Sequence, residues 1–308
     1  MLGIAGLMGL LLAGVAVDLT GVLKQGDDSD ERLDGTDGDD IIDGAGGDDV
    51  IFGFDGDDIL HGGDGQDMLD GGAGQDLLLG AADGDILSGG DGDDRLAGDT
   101  GDDHMFGGDG NDELLGQAGD DFMQGDAGND RMIGGPGEDV IYGGEGDDAL
   151  MGGNDDDIVL GGDGADIVNG NLGDDLLSGL TDDPDLTDDN DMDYLNGGDG
   201  DDILLAGAHD LATGGDGADS FVIGDWLTEG ESAIVADYQA GEDALIVVYD
   251  PDTDPTPEIT IDTDAEGTSV IRLNGLAVAT VTNAPDLMPG HITLIPVQTL
   301  DDLLGLAA

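Results

Sequence analysis

The chain has 308 residues, 75 of them Asp or Glu against only 5 Lys or Arg, for a formal net charge of −70. Such a charge excludes nucleic acid and anionic membrane surfaces as direct partners unless a metal bridges them, and it points to divalent cations. There is no Cys, so disulfides, thiolate ligands and cysteine nucleophiles are excluded as well.

The first segment, Met1 to Val17, is wholly apolar or glycine, and the first basic residue is Lys24. It is near the lower limit for a membrane span and lacks the basic start of a signal peptide. Two readings stand for it: a membrane-associated helix, or a helix that caps a stack of repeats.

From Gly35 to Ser178 the chain divides into sixteen consecutive nine-residue units without insertion or deletion. Gly62-Gly63-Asp64-Gly65-Gln66-Asp67-Met68-Leu69-Asp70 is a clean example. Position 1 is Gly in all sixteen, position 4 is Gly in fourteen, and position 6 is always Asp. Position 8 is always Leu, Ile, Val or Met, whereas position 2 is Gly in only half of the units. Composition alone favours low-complexity disorder. Disorder, however, has no reason to hold an apolar residue at position 8 through sixteen units. The pattern therefore predicts a short strand at positions 7 to 9, one side chain inward and two outward, after a glycine-rich turn.

Worn units follow. Gly179 to Asn196 spans two register lengths and carries Pro184 where an Asp is expected, which reads as a locally degraded turn. Gly197 to Leu205 is clean, Ala206 to Thr213 is an eight-residue remnant, and Gly214 to Val222 closes the array.

The G-G-x-G-x-D-x-U-x unit, with U apolar, resembles that of the RTX family over roughly residues 35 to 222. The resemblance implies an all-β fold, a parallel β-roll with two units per eighteen-residue coil. It also implies multiple calcium ions and makes the position 6 carboxylates their ligands. Those residues are Asp40, Asp49, Asp58, Asp67, Asp76, Asp85, Asp94, Asp103, Asp112, Asp121, Asp130, Asp139, Asp148, Asp157, Asp166, Asp175, Asp193, Asp202 and Asp219. Calcium takes oxygen ligands from carboxylates and carbonyls. Metal affinity then becomes folding energy for a chain whose stacked carboxylates otherwise repel. The Asp residues at positions 3 and 5 are expected to face solvent.

With two units per coil, odd and even units lie on opposite faces. Position 7 of the even face reads Val50, Met68, Ile86, His104, Phe122, Val140, Ile158 and Leu176. That is a nearly continuous apolar stripe, about 40 Å long at the spacing of neighbouring strands. It is either a docking face for a cell-surface or protein partner or a strand position filled by β-propensity. On the odd face Arg95, Glu113 and Arg131 are expected to stack as a charge-alternating ladder.

After Val222 the glycine period stops. Strands are predicted around Ser232 to Val248, at Ile259 to Asp262, Thr268 to Leu273, Leu276 to Val281 and His291 to Val297. The domain division is thus an apolar helix and linker over 1–34, the roll over 35–222, and a small β-rich cap over 223–308 with its own core, including Trp226, Phe221 and Tyr238. Ile234 to Tyr238, Gly241 to Leu245 and the tail Thr299 to Ala308 resemble the closing region of proteins exported by type I secretion, which implies that machinery as a partner. There is no H-E-x-x-H or G-x-S-x-G, and the four histidines are scattered. His61 and His104 fill outward strand positions with no special role. An enzyme is not expected. The expected function is that of a secreted, extracellular or cell-surface calcium-binding protein with a structural or matrix role. The alternatives are a toxin-like membrane-active protein and an adhesion or interaction module.

Overall fold

A computed structural model describes residues 21–181, 191–224, 232–252 and 255–296. The apolar segment 1–17, Pro184, Trp226 and the tail 299–308 lie outside the described residues. The chain comprises two compact units, residues 1–141 and 142–308.

In the first unit every strand pairs in parallel with the strand one coil away. Ile41 faces Ile59 and Ile59 faces Leu77 in one sheet, while Val50 faces Met68 and Met68 faces Ile86 in the other. The step is eighteen residues, so odd and even units separate into two sheets. Position 8 forms the interior: Ile42, Ile51, Leu60, Leu69, Leu78, Leu87, Leu96, Met105, Leu114, Met123, Met132 and Ile141 are all buried. Each contributes about 1.5–3 kcal/mol of apolar burial, repeated at every rung.

The strands are longer than expected. They run six residues, as in Ile59–Asp64 and His104–Asp109, instead of three. Strand pairing continues from position 9 through the invariant glycine to position 3 of the next unit, with a bend at position 2, where φ is positive as at Ala45 (80°) and Gly63 (122°). The stack also begins before Gly35. Leu23–Gln25 pairs with Ile41–Gly46, and Arg32–Thr36 pairs with Val50–Asp55. Leu23–Gln25 and Arg32–Thr36 are therefore strands of the roll where a linker was expected.

The charge ladder forms on the odd face: Arg131 Nη1 lies 2.8 Å from Glu113 Oε1, and Arg95 Nε lies 3.5 Å from Glu113 Oε2. On the even face His104 stacks on Phe122 with ring centroids 5.6 Å apart.

Up to Val222 the second unit departs from the eighteen-residue step twice. Ile167 pairs with Tyr194 and Leu176 with Ile203, a step of twenty-seven. The passage from Gly179 to Asn196, expected to hold two units, contributes a single strand among the described residues, Tyr194–Asp199. Leu180 from this passage packs outside the even sheet against Leu205, Val222 and Val248. The next step is seventeen, Tyr194 to Leu211 and Ile203 to Ser220, because the remnant Ala206 to Thr213 lacks one residue.

Beyond Val222 the strands extend both sheets of this unit. Leu211–Asp216 is followed in parallel by Ala233–Val235 and then Leu276–Val281. Ser220–Ile223 is followed by Ala244–Tyr249 and then Ile292–Pro296. Only Ile259–Thr263, Ser269–Leu273 and Leu276–Val281 form an antiparallel meander. The predicted strands are present, but Phe221 belongs to the interior of the roll rather than to a separate core. Buried Val235, Leu245, Val247 and Ile271 continue that apolar interior.

Candidate metal ladder

All nineteen position 6 aspartates are buried, none more than 3% exposed. An apolar residue two places on anchors each of them: Asp112 precedes Glu113 and fully buried Leu114. The strand therefore turns the carboxylate inward at the corner between the sheets. The residues form an ordered series. Asp76 N–H donates to Asp94 Oδ1 and Asp94 N–H donates to Asp112 Oδ1, both at 2.8 Å. On the other corner Asp85 N–H donates to Asp103 Oδ1 at 2.7 Å and Asp103 N–H to Asp121 Oδ1 at 2.9 Å. In the second unit Asp157 N–H reaches Asp175 Oδ1 at 2.8 Å, and Asp175 N–H reaches Asp202 Oδ1 at 2.9 Å.

The second carboxylate oxygen has a different fate. Oδ2 of Asp49, Asp58, Asp67, Asp76, Asp85, Asp94, Asp103, Asp112, Asp121, Asp175 and Asp202 is buried and receives no hydrogen bond. A buried carboxylate oxygen without a donor is strongly unfavourable. The glycine at position 1 shows what it faces. A Cβ built on Gly107 would stand 2.8 Å from the Gly125 carbonyl oxygen and closer still to Asp112 Oδ2. The same pair of oxygens meets over Gly71, Gly89 and Gly116. A carboxylate oxygen and a main-chain carbonyl thus converge on a space that no side chain can enter. Two acceptors directed at one point require a proton or a cation between them.

Burial accordingly pushes these carboxyls up from the ordinary 3.8. Asp67, Asp94 and Asp103 reach about 6, Asp58, Asp76, Asp112 and Asp121 about 7, and Asp85 about 8. Asp202 is also raised to about 7 and Asp175 to about 6. Desolvation is the largest cause in each, partly offset by the hydrogen bond from the neighbouring coil, with repulsion from adjacent aspartates adding to it.

No group of three His, Cys, Asp or Glu side chains converges to hold a metal among the described residues. A cation on these corners would have to be held by few carboxylates supplemented by main-chain carbonyls. That donor set is all oxygen and suits a hard cation with a large, adaptable shell, as calcium has.

A repeat model described as the RTX calcium-binding nonapeptide repeat matches seven overlapping stretches from 25–53 to 151–183, which together span residues 25–183. That is more than half of the chain. The chain belongs to the RTX calcium-binding nonapeptide-repeat family. No curated protein matches it. Calcium is the cofactor of an RTX array, and bound here it would supply the positive charge that lets facing oxygens share a corner.

The array holds further acidic residues at its corners that period nine does not reveal. Glu31 stands five residues after Gly26 in a worn unit, with its Oε2 directed over that glycine as Asp Oδ2 is elsewhere. Asp210 is fully buried at the corner of the eight-residue remnant, and its Oδ1 accepts the Asp193 N–H at 3.0 Å. Asp243 accepts the Asp219 N–H at 3.3 Å. The signal in each case is an acidic residue two places before an apolar one: Glu31 and Leu33, Asp210 and Ala212, Asp243 and Leu245.

Position 5, expected only to face solvent, is exposed but bonded. Its side chains form a second series of opposite direction, accepting from the following coil. Gln75 N–H donates to Asp57 Oδ1 at 3.0 Å and Asn111 N–H to Asp93 Oδ1 at 3.0 Å. Asn129 N–H donates in turn to Asn111 Oδ1 at 2.9 Å. Asn replaces Asp there, so the outer series needs an oxygen acceptor and no charge. His61, read as having no special role, pairs through Nδ1 with Asp43 at 3.0 Å.

Proposed function

We propose that this is a secreted RTX protein with a structural or surface-matrix role, that it folds when it meets calcium outside the cell, and that the nineteen position 6 aspartates are ligands in its array. One observation carries the reading: the buried Oδ2 oxygens face main-chain carbonyls across space that only glycine leaves open. The net charge of −70 opposes compaction until cations neutralise it. Sites at the weak end of calcium affinity stay empty at cytoplasmic calcium and fill at extracellular calcium, so an exported chain would leave unfolded. The test is circular dichroism across a calcium titration of the full chain. A cooperative gain of β signal toward millimolar calcium is expected, whereas an equal β spectrum in chelator would overturn the reading.

The export route is proposed to be type I, with Thr299 to Ala308 contributing to its signal. Deleting that tail should retain the chain inside the cell, and normal export of the deletion would refute the route. Deletion of residues 2–17 tests the competing Sec or membrane route.

A second reading, an adhesion or interaction module, is supported by outward Met68 and Ile86, each 42% exposed on the even face of the first unit. Calcium-dependent retention on the producing cell that is abolished by Met68→Lys with Ile86→Lys would favour it. Leakage of calcium-loaded vesicles would instead favour a membrane-active protein.

A further inference from the structure

The seventeen-residue coil that ends at Asp210 differs from its neighbours. In a regular unit the aspartate stands five places after the position 1 glycine, as Asp112 does after Gly107. In the remnant the position 1 residue is Ala206, fully buried, so this unit lacks the vacant side-chain room that the cradles over glycine require. A main-chain donor also reaches the carboxylate, as Thr36 N–H reaches Asp40 Oδ2 at 2.5 Å in a unit that keeps its position 1 glycine. Gly207 N–H donates to Asp210 Oδ2 at 2.5 Å, while Oδ1 takes the Asp193 N–H. At Asp112 the corresponding Oδ2 is buried with no donor.

We propose that the turn Gly207 to Asp210 is a rung closed by hydrogen bonds instead of calcium, with Asp210 a positioning residue rather than a metal ligand. This rests on reading the regular position 6 aspartates as calcium ligands. The chemistry is a substitution of one positive partner for another. An N–H directed at Oδ2 meets the same need as a cation, and with the donor in place a cation would have to displace it. A carboxylate is still required here because two amides on separate coils each use one of its oxygens. An amide side chain would satisfy only one of them.

Two experiments on the full chain test this. Native mass spectrometry counts bound calcium in wild type, Asp112→Asn and Asp210→Asn. Asp112→Asn should lose at least one ion, and Asp210→Asn should retain the wild-type number. If Asp112→Asn loses none, the ligand reading itself fails. If it loses an ion and Asp210→Asn does so too, the hydrogen-bonded rung fails while the ligand reading stands. Because Asp210→Asn can fail to fold, hydrogen exchange on the wild-type protein gives a second measure. The amides of Gly207 and Asp193 should stay protected to about tenfold lower free calcium than the Asp94 amide bonded to Asp112. Loss of protection at the same calcium concentration would overturn the proposal.

Discussion

Replacing Gly107 by Ala is the sharpest probe of why the first position of every regular unit is glycine. The φ of Gly107 is not in the left-handed region, unlike that of the adjacent Gly108 at 113°, so backbone strain does not demand glycine there. Room does. The new methyl would meet Asp112 Oδ2, the Gly125 carbonyl oxygen at 2.8 Å and Asp112 Cγ at 3.1 Å. One of these is main chain held in a parallel sheet and the others belong to the buried carboxylate, so something must shift by several tenths of an ångström. Overpacking of this kind costs about 1–3 kcal/mol. The displaced oxygens are also the proposed ligands, so calcium affinity falls with stability. A loss of about 2 kcal/mol corresponds to roughly a thirtyfold weaker equilibrium. The assay is thermal melting in saturating calcium together with the calcium midpoint by circular dichroism. Gly241→Ala is the comparison, because its φ of 96° carries strain while nothing lies within 4 Å of its Cβ. That variant should lose about 1 kcal/mol with little change in midpoint. An unchanged melt and midpoint for Gly107→Ala would refute the argument that this glycine leaves space for oxygen and cation.

Leu96→Asp places an unpartnered carboxylate among fully buried apolar neighbours and should cost several kcal/mol. Arg95→Asp, beside it but outward, loses only an exposed pair worth less than about 1 kcal/mol; equal losses in melts would invert the inward and outward assignment. The pH dependence in chelator follows from the raised carboxyls. Their folded-state pKa values of about 6 to 8 exceed the 3.8 of the unfolded chain, so the metal-free roll takes up protons on folding. Its stability is fully present below about pH 4 and is lost as pH rises through roughly 6 to 8. Acidification in chelator should thus raise the β signal, and a flat response between pH 4 and 8 would contradict it. Calcium competes with those protons, so the calcium midpoint should fall as pH rises over the same window. Asp93→Asn, in the outer series where Asn111 already serves, should leave both melt and midpoint within about 0.5 kcal/mol of wild type.

Period nine with an apolar residue at position 8 was enough to determine the buried core, and the net charge of −70 pointed to a cation; the role of the position 6 carboxylates came from the resemblance to RTX proteins. That resemblance also supplied the two-unit coil. These features repeat because every rung imposes the same local demand: a side chain that fills the interior, and an oxygen at the corner. Which group answers each oxygen is decided by atoms eighteen, seventeen or twenty-seven residues away, and no local pattern carries that information. Only the stacked coils showed that the position 1 glycine is required by its neighbours' oxygens and that position 5 forms a counter-running series. That Tyr194 is the residue beside Ile167, and that Leu180 packs with Leu205, Val222 and Val248, are likewise long-range facts. Asp210 illustrates the division most directly. Its residue type matches the repeat, but Ala206 stands where the glycine cradle is elsewhere and the Gly207 N–H meets its carboxylate, and that donor is a property of the folded turn.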